Sequence, residues 1–294
     1  MPTSNFQLPT PNYPRYLAAK KTVDDRALNG RVWQQMAQAV LALGRPHVLE
    51  VGAGIGTMVE RWHERGVWPV GSYTAVDALP ENVAIARERL APLAKDAPLT
   101  VTAVDIFDFI AQNQGRQTWD VLLAHAVLDL LDAPSALPQL FSLLRPGGLF
   151  YFTLNFDGAT IFQPAIDPAF DAHIEALYHR TMDERLVNGR PSGDSQTGRH
   201  LFTHLRRAGA EILAAGSSDW VVYGEPPGYP PGYPADEAYF LHFIVHTLHE
   251  ALRGHPELDK DYFNAWIAHR HAQIETGDLV YIAHQLDFLG RLPL

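Results

Sequence analysis

The chain has 294 residues, 47% hydrophobic and 19% charged, the composition of an ordinary globular protein with ample apolar material for one core. Its net charge of −10 opposes the phosphate contacts from which a nucleic-acid binder draws its affinity. It has no cysteine, which excludes thiol nucleophiles, thiolate metal sites and disulfide frameworks.

The first fourteen residues hold four prolines and read as a loop or extended arm, since each proline fixes its backbone and lacks a donor. They carry no basic segment followed by an apolar core. No run elsewhere approaches the ~18 apolar residues of a membrane span, so a soluble, cytoplasmic protein is expected. Residues 15–45 show helical spacing, with Val32, Met36, Ala39, Val40 and Leu43 at intervals of three or four, and predict two helices before the first strand.

From residue 47 strands and helices alternate. Strands are expected at 47–51, 73–77, 99–104, 120–127 and 149–155, with helices at 56–66, 80–93, 107–113 and 134–148 between them. Strands separated by helical segments imply right-handed crossovers, hence an open, doubly wound, mostly parallel sheet. Residues 156–197 interrupt this rhythm with one helix at 168–186 and a turn-rich stretch. A helix at 199–209 and a strand at 210–216 restore it. A Pro/Gly/Tyr repeat at 224–237, with Tyr229 and Tyr233, and helices at 237–252 and 261–275 form a second interruption. A strand with a polar middle at 278–292 closes the chain. The domain reading is therefore an arm and lid helices at 1–46, a core at 47–155, a cap at 156–197, core again at 198–216, a helical cap at 217–276 and a final core strand at 277–294.

Gly52, Gly54 and Gly56 follow the apolar run "VLEV", and glycine lets a ligand approach main-chain N–H groups closely. The spacing is G-x-G-x-G. The dinucleotide fingerprint wants its third glycine one residue later, where Thr57 stands. Glu50, beside the loop, would repel a diphosphate and suits an amine-bearing cofactor. The next strand ends in Asp77, placed to accept both hydroxyls of a ribose, and the third in Asp105 with Ile106, an acceptor beside an apolar cover for a purine. Taken singly, such residues are turn glycines and helix caps; four in order on successive strand ends mark a nucleoside site.

These motifs, "VLEVGAGIG", "YTAVDAL", "VDIFDF", "DVLLAHAVLDLL" and "LLRPGGLFYFTLN", resemble those of class I S-adenosylmethionine-dependent methyltransferases over residues 45–155. The resemblance extends less specifically to 197–216 and 277–290, which would supply the sixth strand and the antiparallel seventh. It implies a seven-stranded Rossmann-like fold whose helical insertions form a substrate cap. It also implies a site in which Glu50 and Gly52, Ala53, Gly54 and Gly56 lie against the methionine part of S-adenosylmethionine (S-adenosylhomocysteine as product). Asp77 and Ala78 would hold the ribose, Asp105 and Ile106 the adenine, and Ala124 and His125 the ammonium side. Tyr16 and Lys20, or Lys21 as the cation, would close from the N-terminal lid helix.

Methyl transfer to a hydroxyl or ammonium needs a base, because a protonated nucleophile cannot attack. His125 is the first candidate, or else a ring packed on the cofactor; Asp129 is the second, or else a helix cap. Asn155, Phe156 and Asp157, with Trp220, Tyr223, His242 and His246, are candidates for gripping substrate. His242, His246 and His249 sit at i, i+4 and i+7 on one helix, but without a fitting carboxylate motif they are read as amphipathic spacing, and no metal is expected. The expected function is S-adenosylmethionine-dependent methylation of a small molecule, with oxygen preferred over nitrogen or carbon as acceptor. The alternatives are a nicotinamide-dependent oxidoreductase and a non-catalytic S-adenosylmethionine-binding protein. The charge, the missing cysteine that cytosine C5 methylation requires and the lack of an Asn-Pro-Pro-Tyr turn argue against nucleic acid.

Overall fold

The computed structural model describes residues 12–294 apart from 69, 188 and 225–231. The expected proline arm, save its last three residues, and Tyr229 of the repeat lie outside the described residues. Among the described residues ten strands form in chain order: β1 His47–Val51, β2 Ser72–Asp77, β3 Leu99–Ala103, β4 Trp119–His125, β5 Leu144–Gln163, β6 Leu186–Val187, β7 Arg190–Pro191, β8 Glu211–Ser217, β9 Trp220–Val222 and β10 Val280–Arg291. Eight make one sheet in the order β3-β2-β1-β4-β5-β10-β8, with β9 also paired to β10, and β6 and β7 form a separate hairpin. Strands β1 to β5 are parallel, and β10 runs antiparallel to β5, β8 and β9. Order reverses between β1 and β4, the switch point where open α/β sheets bind ligands.

Helices cover both faces, so the central strands are apolar throughout rather than alternating. Val48, Val121, Leu123 and Tyr151 point into one buried cluster; Leu49, Val51, Leu122, Ala124, Phe150 and Phe152 point into the other. Each of these Val, Leu and Phe side chains contributes roughly 1.5–3 kcal/mol relative to exposure.

Among the described residues three helices, not two, precede β1: α1 Tyr13–Ala19, α2 Lys21–Ala27 and α3 Gly30–Ala42. The chain extends at Leu28, and the Asn29 side chain accepts from Val32 N–H to start α3, a cap hidden inside an apparently continuous helical pattern. Along the sheet follow α4 Thr57–Glu64, α5 Pro80–Leu90, α6 Ile106–Asn113 and α7 Ala133–Phe141. Strand β5 does not stop at Asn155. It runs on to Gln163 because the long β10 pairs with it as far as Val280, past a bend at Leu154, whose φ is +54°. Residues 156–163, expected to open the first cap, are therefore sheet.

Helix α8 (Pro168–Asp183) ends before 186, where the chain turns into β6, and α9 (Thr197–Arg207) returns it to the sheet. The last pair, α10 (Glu237–Leu252) and α11 (Lys260–Glu275), lie antiparallel, with His242 against His271 and His249 against Asn264. Helices α1 and α2 pack on α10: Tyr16 stacks on Phe243 with ring centroids 4.1 Å apart, and Arg26 and Thr22 both bond Glu237. Among the described residues no helix is long and apolar enough to cross a membrane.

Candidate functional site

A cavity of about 750 Å³ opens at the carboxyl ends of β1 to β4. The sheet supplies its floor through Glu50, Gly52, Ala53, Gly54, Asp77, Ala78, Asp105, Ile106, His125 and Asp129; α1, α8 and α10 supply its roof.

The glycine turn has the backbone that only glycine adopts freely, with φ of +65° at Gly52, +55° at Gly54 and +85° at Gly56. A Cβ on Gly52 would stand 2.4 Å from Val127 Cγ2. The turn is tied to β2 twice: Ala53 N–H donates to the Val76 carbonyl, and Gly54 N–H donates to Asp77 Oδ2 at 2.8 Å. Asp77 Oδ1 accepts from Leu79 N–H and from Asn82 Nδ2. Asn82 lines the cavity while its own Oδ1 is buried without a hydrogen-bond partner. Asp105 Oδ1 accepts from Phe107 and Asp108 N–H and caps α6, so it is a helix cap and a cavity residue at once.

Glu50 is buried beneath the turn and accepts from the Tyr73 hydroxyl at 2.8 Å. Burial pushes its carboxyl up to about 8; the Tyr73 bond and Arg61 oppose this, and Asp77 adds to it.

His125 is fully engaged. Its Nδ1 is 2.7 Å from Thr153 Oγ1 and its Nε2 is 3.0 Å from Asp24 Oδ2. Burial lowers the imidazole to about 4, against the pull of Asp24. Burial would raise Asp24, but Lys20, His125 and Arg61 together outweigh it and hold the carboxyl at about 2. An ionised Asp24 can only accept, so Nε2 carries the proton and Nδ1 accepts from Thr153, leaving neither nitrogen for an incoming proton. Asp24 also accepts from Trp220 Nε1 at 2.9 Å and lies 3.4 Å from Lys20 Nζ, which sits 5.2 Å from the Trp220 ring centroid. Lys21, by contrast, is turned to Asp25 and Glu64 outside the cavity.

Asp129 differs. It lines the cavity with Oδ1 buried and unpartnered, and burial raises its carboxyl while its own backbone N–H, Lys20 and Arg185 oppose. Arg185 from the end of α8 bonds the Asp129 carbonyl at 3.0 Å and fixes the turn that carries it.

The cavity thus brings together Tyr16, Lys20, Glu50, Gly52, Ala53, Gly54, Asp77, Ala78, Asp105, Ile106, His125, Asp129, Phe156 and Trp220. Gly56 and Ala124 stand behind its wall, and Ala126 reaches it instead. Asn155 and Asp157 face the other side of β5, where Asn155 Nδ2 donates to the Leu286 carbonyl and Asp157 accepts from Arg199. Tyr223 is exposed. Helix α10 turns Phe243, Ile244 and Thr247 to the cavity, whereas His242 bonds His271 and Glu275 on α11, and His246 stands off the wall. Residues not foreseen are Tyr13, Asn82, Tyr178, Arg185, Tyr281 and Gln285. Gln285, whose Oε1 is buried and unpartnered, is the polar middle of the last strand, a signal present in the sequence.

Residues 49–150 match the family model described as a methyltransferase domain. Among solved structures, a candidate methyltransferase of Bacillus halodurans C-125 aligns at 13% identity over 88% of this chain and 99% of its own, with a TM-score of 0.50. A S-adenosylmethionine-dependent methyltransferase of Thiobacillus denitrificans, in complex with S-adenosylhomocysteine, aligns at 12% identity over 97% and 99%, with a TM-score of 0.47. No curated protein matches the chain.

Proposed function

We infer that this chain, which carries a methyltransferase domain over residues 49–150, is an S-adenosylmethionine-dependent enzyme that methylates a small-molecule acceptor, at oxygen in preference to nitrogen or carbon. The observation that carries the reading is one cavity, at the switch point of the sheet, that joins the Gly52–Gly54 turn to Glu50, Asp77, Asn82 and Asp105. The donors and acceptors suit a nucleoside with a cationic side arm. Asp77 and the orphaned Asn82 Oδ1 meet ribose hydroxyls, Asp105 and Ile106 an adenine, and Glu50 with the turn backbone the methionine end. A buried carboxyl at Glu50 gains an ion pair from an ammonium group and nothing from a pyrophosphate, which disfavours a nicotinamide dinucleotide.

When bound, S-adenosylmethionine supplies an electrophilic methyl group on a sulfonium sulfur. The chain contributes alignment and a proton acceptor. Phe156, Tyr178 and Phe243 enclose the acceptor and exclude water, and Gln285 offers it a hydrogen bond. Asp129 is the base in this reading: its free oxygen accepts an acceptor hydroxyl's proton, and its raised affinity for protons makes it stronger than an ordinary carboxylate. His125 holds Asp24, and through it the lid, rather than a substrate proton.

Isothermal titration with S-adenosylhomocysteine, and with NADH in parallel, tests the reading. Saturable binding of the first alone is expected; binding of NADH alone overturns it.

A further inference from the structure

We propose that Asp194, His200 and His204 form a binding site for a divalent transition-metal ion, outside the cavity. His200 and His204 stand four residues apart on α9, so both imidazoles leave the same helix face, with ring centroids 6.0 Å apart. Asp194 lies in the loop before the helix, and that loop is fixed. Its Oδ1 accepts from Gln196 N–H at 2.8 Å, and its carbonyl accepts from Thr197 N–H at 3.2 Å and Thr197 Oγ1 at 2.8 Å. Its Oδ2 lies 2.5 Å from His200 Nδ1. One ligand atom from each of the three residues falls within 4.8 Å of the others. An ion held at ~2.0–2.1 Å in a tetrahedron sets its ligand atoms roughly 3.3 Å apart, so the three side chains must draw together to close on it.

Two imidazoles and one carboxylate are a borderline donor set. It suits zinc, nickel or cobalt rather than magnesium or calcium, which take oxygen ligands. The remaining coordination position is open to water, because the site is half-exposed.

The loop that would be pinned is sewn to the cavity floor. Ser192 Oγ donates to the Leu130 carbonyl at 2.7 Å; Arg185 bonds both the Ser192 and Asp129 carbonyls; Ser195 N–H donates to Asp183 at the end of α8. A metal joining Asp194 to α9 therefore staples α8, the turn that carries Asp129 and α9 to one another.

The test is titration of EDTA-dialysed, tag-free protein with ZnCl2 and with NiCl2, comparing the wild type with Asp194→Asn, His200→Ala and His204→Ala. All three positions are at the surface, and unchanged circular dichroism and S-adenosylhomocysteine binding check that the variants fold. The wild type is expected to take up one ion per chain and to gain melting temperature on doing so. Each variant should bind at least about tenfold more weakly and lose the gain. No saturable uptake by the wild type, or equal uptake by the three variants, overturns the proposal; the second result assigns the metal to the chain's other histidines.

Discussion

On the proposed reading of the site, Glu50 should make cofactor binding a proton-releasing event. Its carboxyl is pushed up to about 8 by burial, so at pH 7 it is about nine-tenths protonated in the free protein. A methionine ammonium brought against it favours the ionised form, and binding should then expel up to about 0.9 proton per chain. The assay is calorimetric titration with S-adenosylmethionine in phosphate and in Tris at pH 7, where the slope of observed enthalpy against buffer ionisation enthalpy counts the protons. The slope should shrink as the pH is raised through 8 and vanish at pH 7 in Glu50→Gln. The sign for folding follows from the same shift: a carboxyl raised in the folded state gives stability below its ordinary value near 4.5 that is lost as pH rises to about 8. The stability of the free wild type relative to Glu50→Gln should accordingly fall by a few kcal/mol across that window. Tight binding with no buffer dependence in the wild type would refute the argument, since it would mean that Glu50 keeps one protonation state throughout.

Asp77→Ala should weaken S-adenosylhomocysteine binding by roughly 1.5–3 kcal/mol, the loss of a charged hydrogen-bond acceptor, in the same calorimeter; unchanged affinity would remove Asp77 from the site. Asp129→Asn should leave that affinity intact and abolish turnover of a hydroxyl acceptor, while wild-type turnover should rise with pH above the ordinary carboxylate range as Asp129 loses its proton; retained turnover in the variant excludes it as base. His125→Ala should act mainly on stability, by about 3 kcal/mol in denaturant melts, because it leaves the Asp24 carboxylate buried with a bond unmade. A fully stable variant with no turnover would return His125 to the role of base.

The parallel core was legible because a strand covered on both faces writes a continuous apolar run, and a helix between two such runs leaves little choice of topology. The glycine turn and the acids at Glu50, Asp77 and Asp105 were legible for a related reason: each lies at or within two residues of a strand's carboxyl end, so sequence position fixes spatial position. Asp24 was not. It sits in "KTVDDRA" beside Asp25, one fully buried and the other part-exposed among Lys21, Arg61 and Arg65, and only the arrival of His125, 101 residues later, and Trp220, 196 residues later, separates them. A strand end marks where His125 stands, whereas the partners that occupy its ring nitrogens, Asp24 and Thr153, come from distant parts of the chain.

The cap shows a different limit. Chemistry-bearing side chains attract attention in a sequence, yet the wall of a small-molecule cavity is mostly apolar, with a few polar groups placed on it. On β5 the side chains alternate, so Phe156 faces the cavity while Asn155 and Asp157 on either side of it serve β10 and α9. On α10 the turn of the helix does the same: Phe243 and Thr247 line the wall, while His242 meets α11. Which face is inward depends on what packs behind the element, and here that is decided by contacts made later in the chain, by α9 behind β5 and by α11 behind α10. A residue's type proposes what it can do, and the element packed against its back decides whether a ligand reaches it.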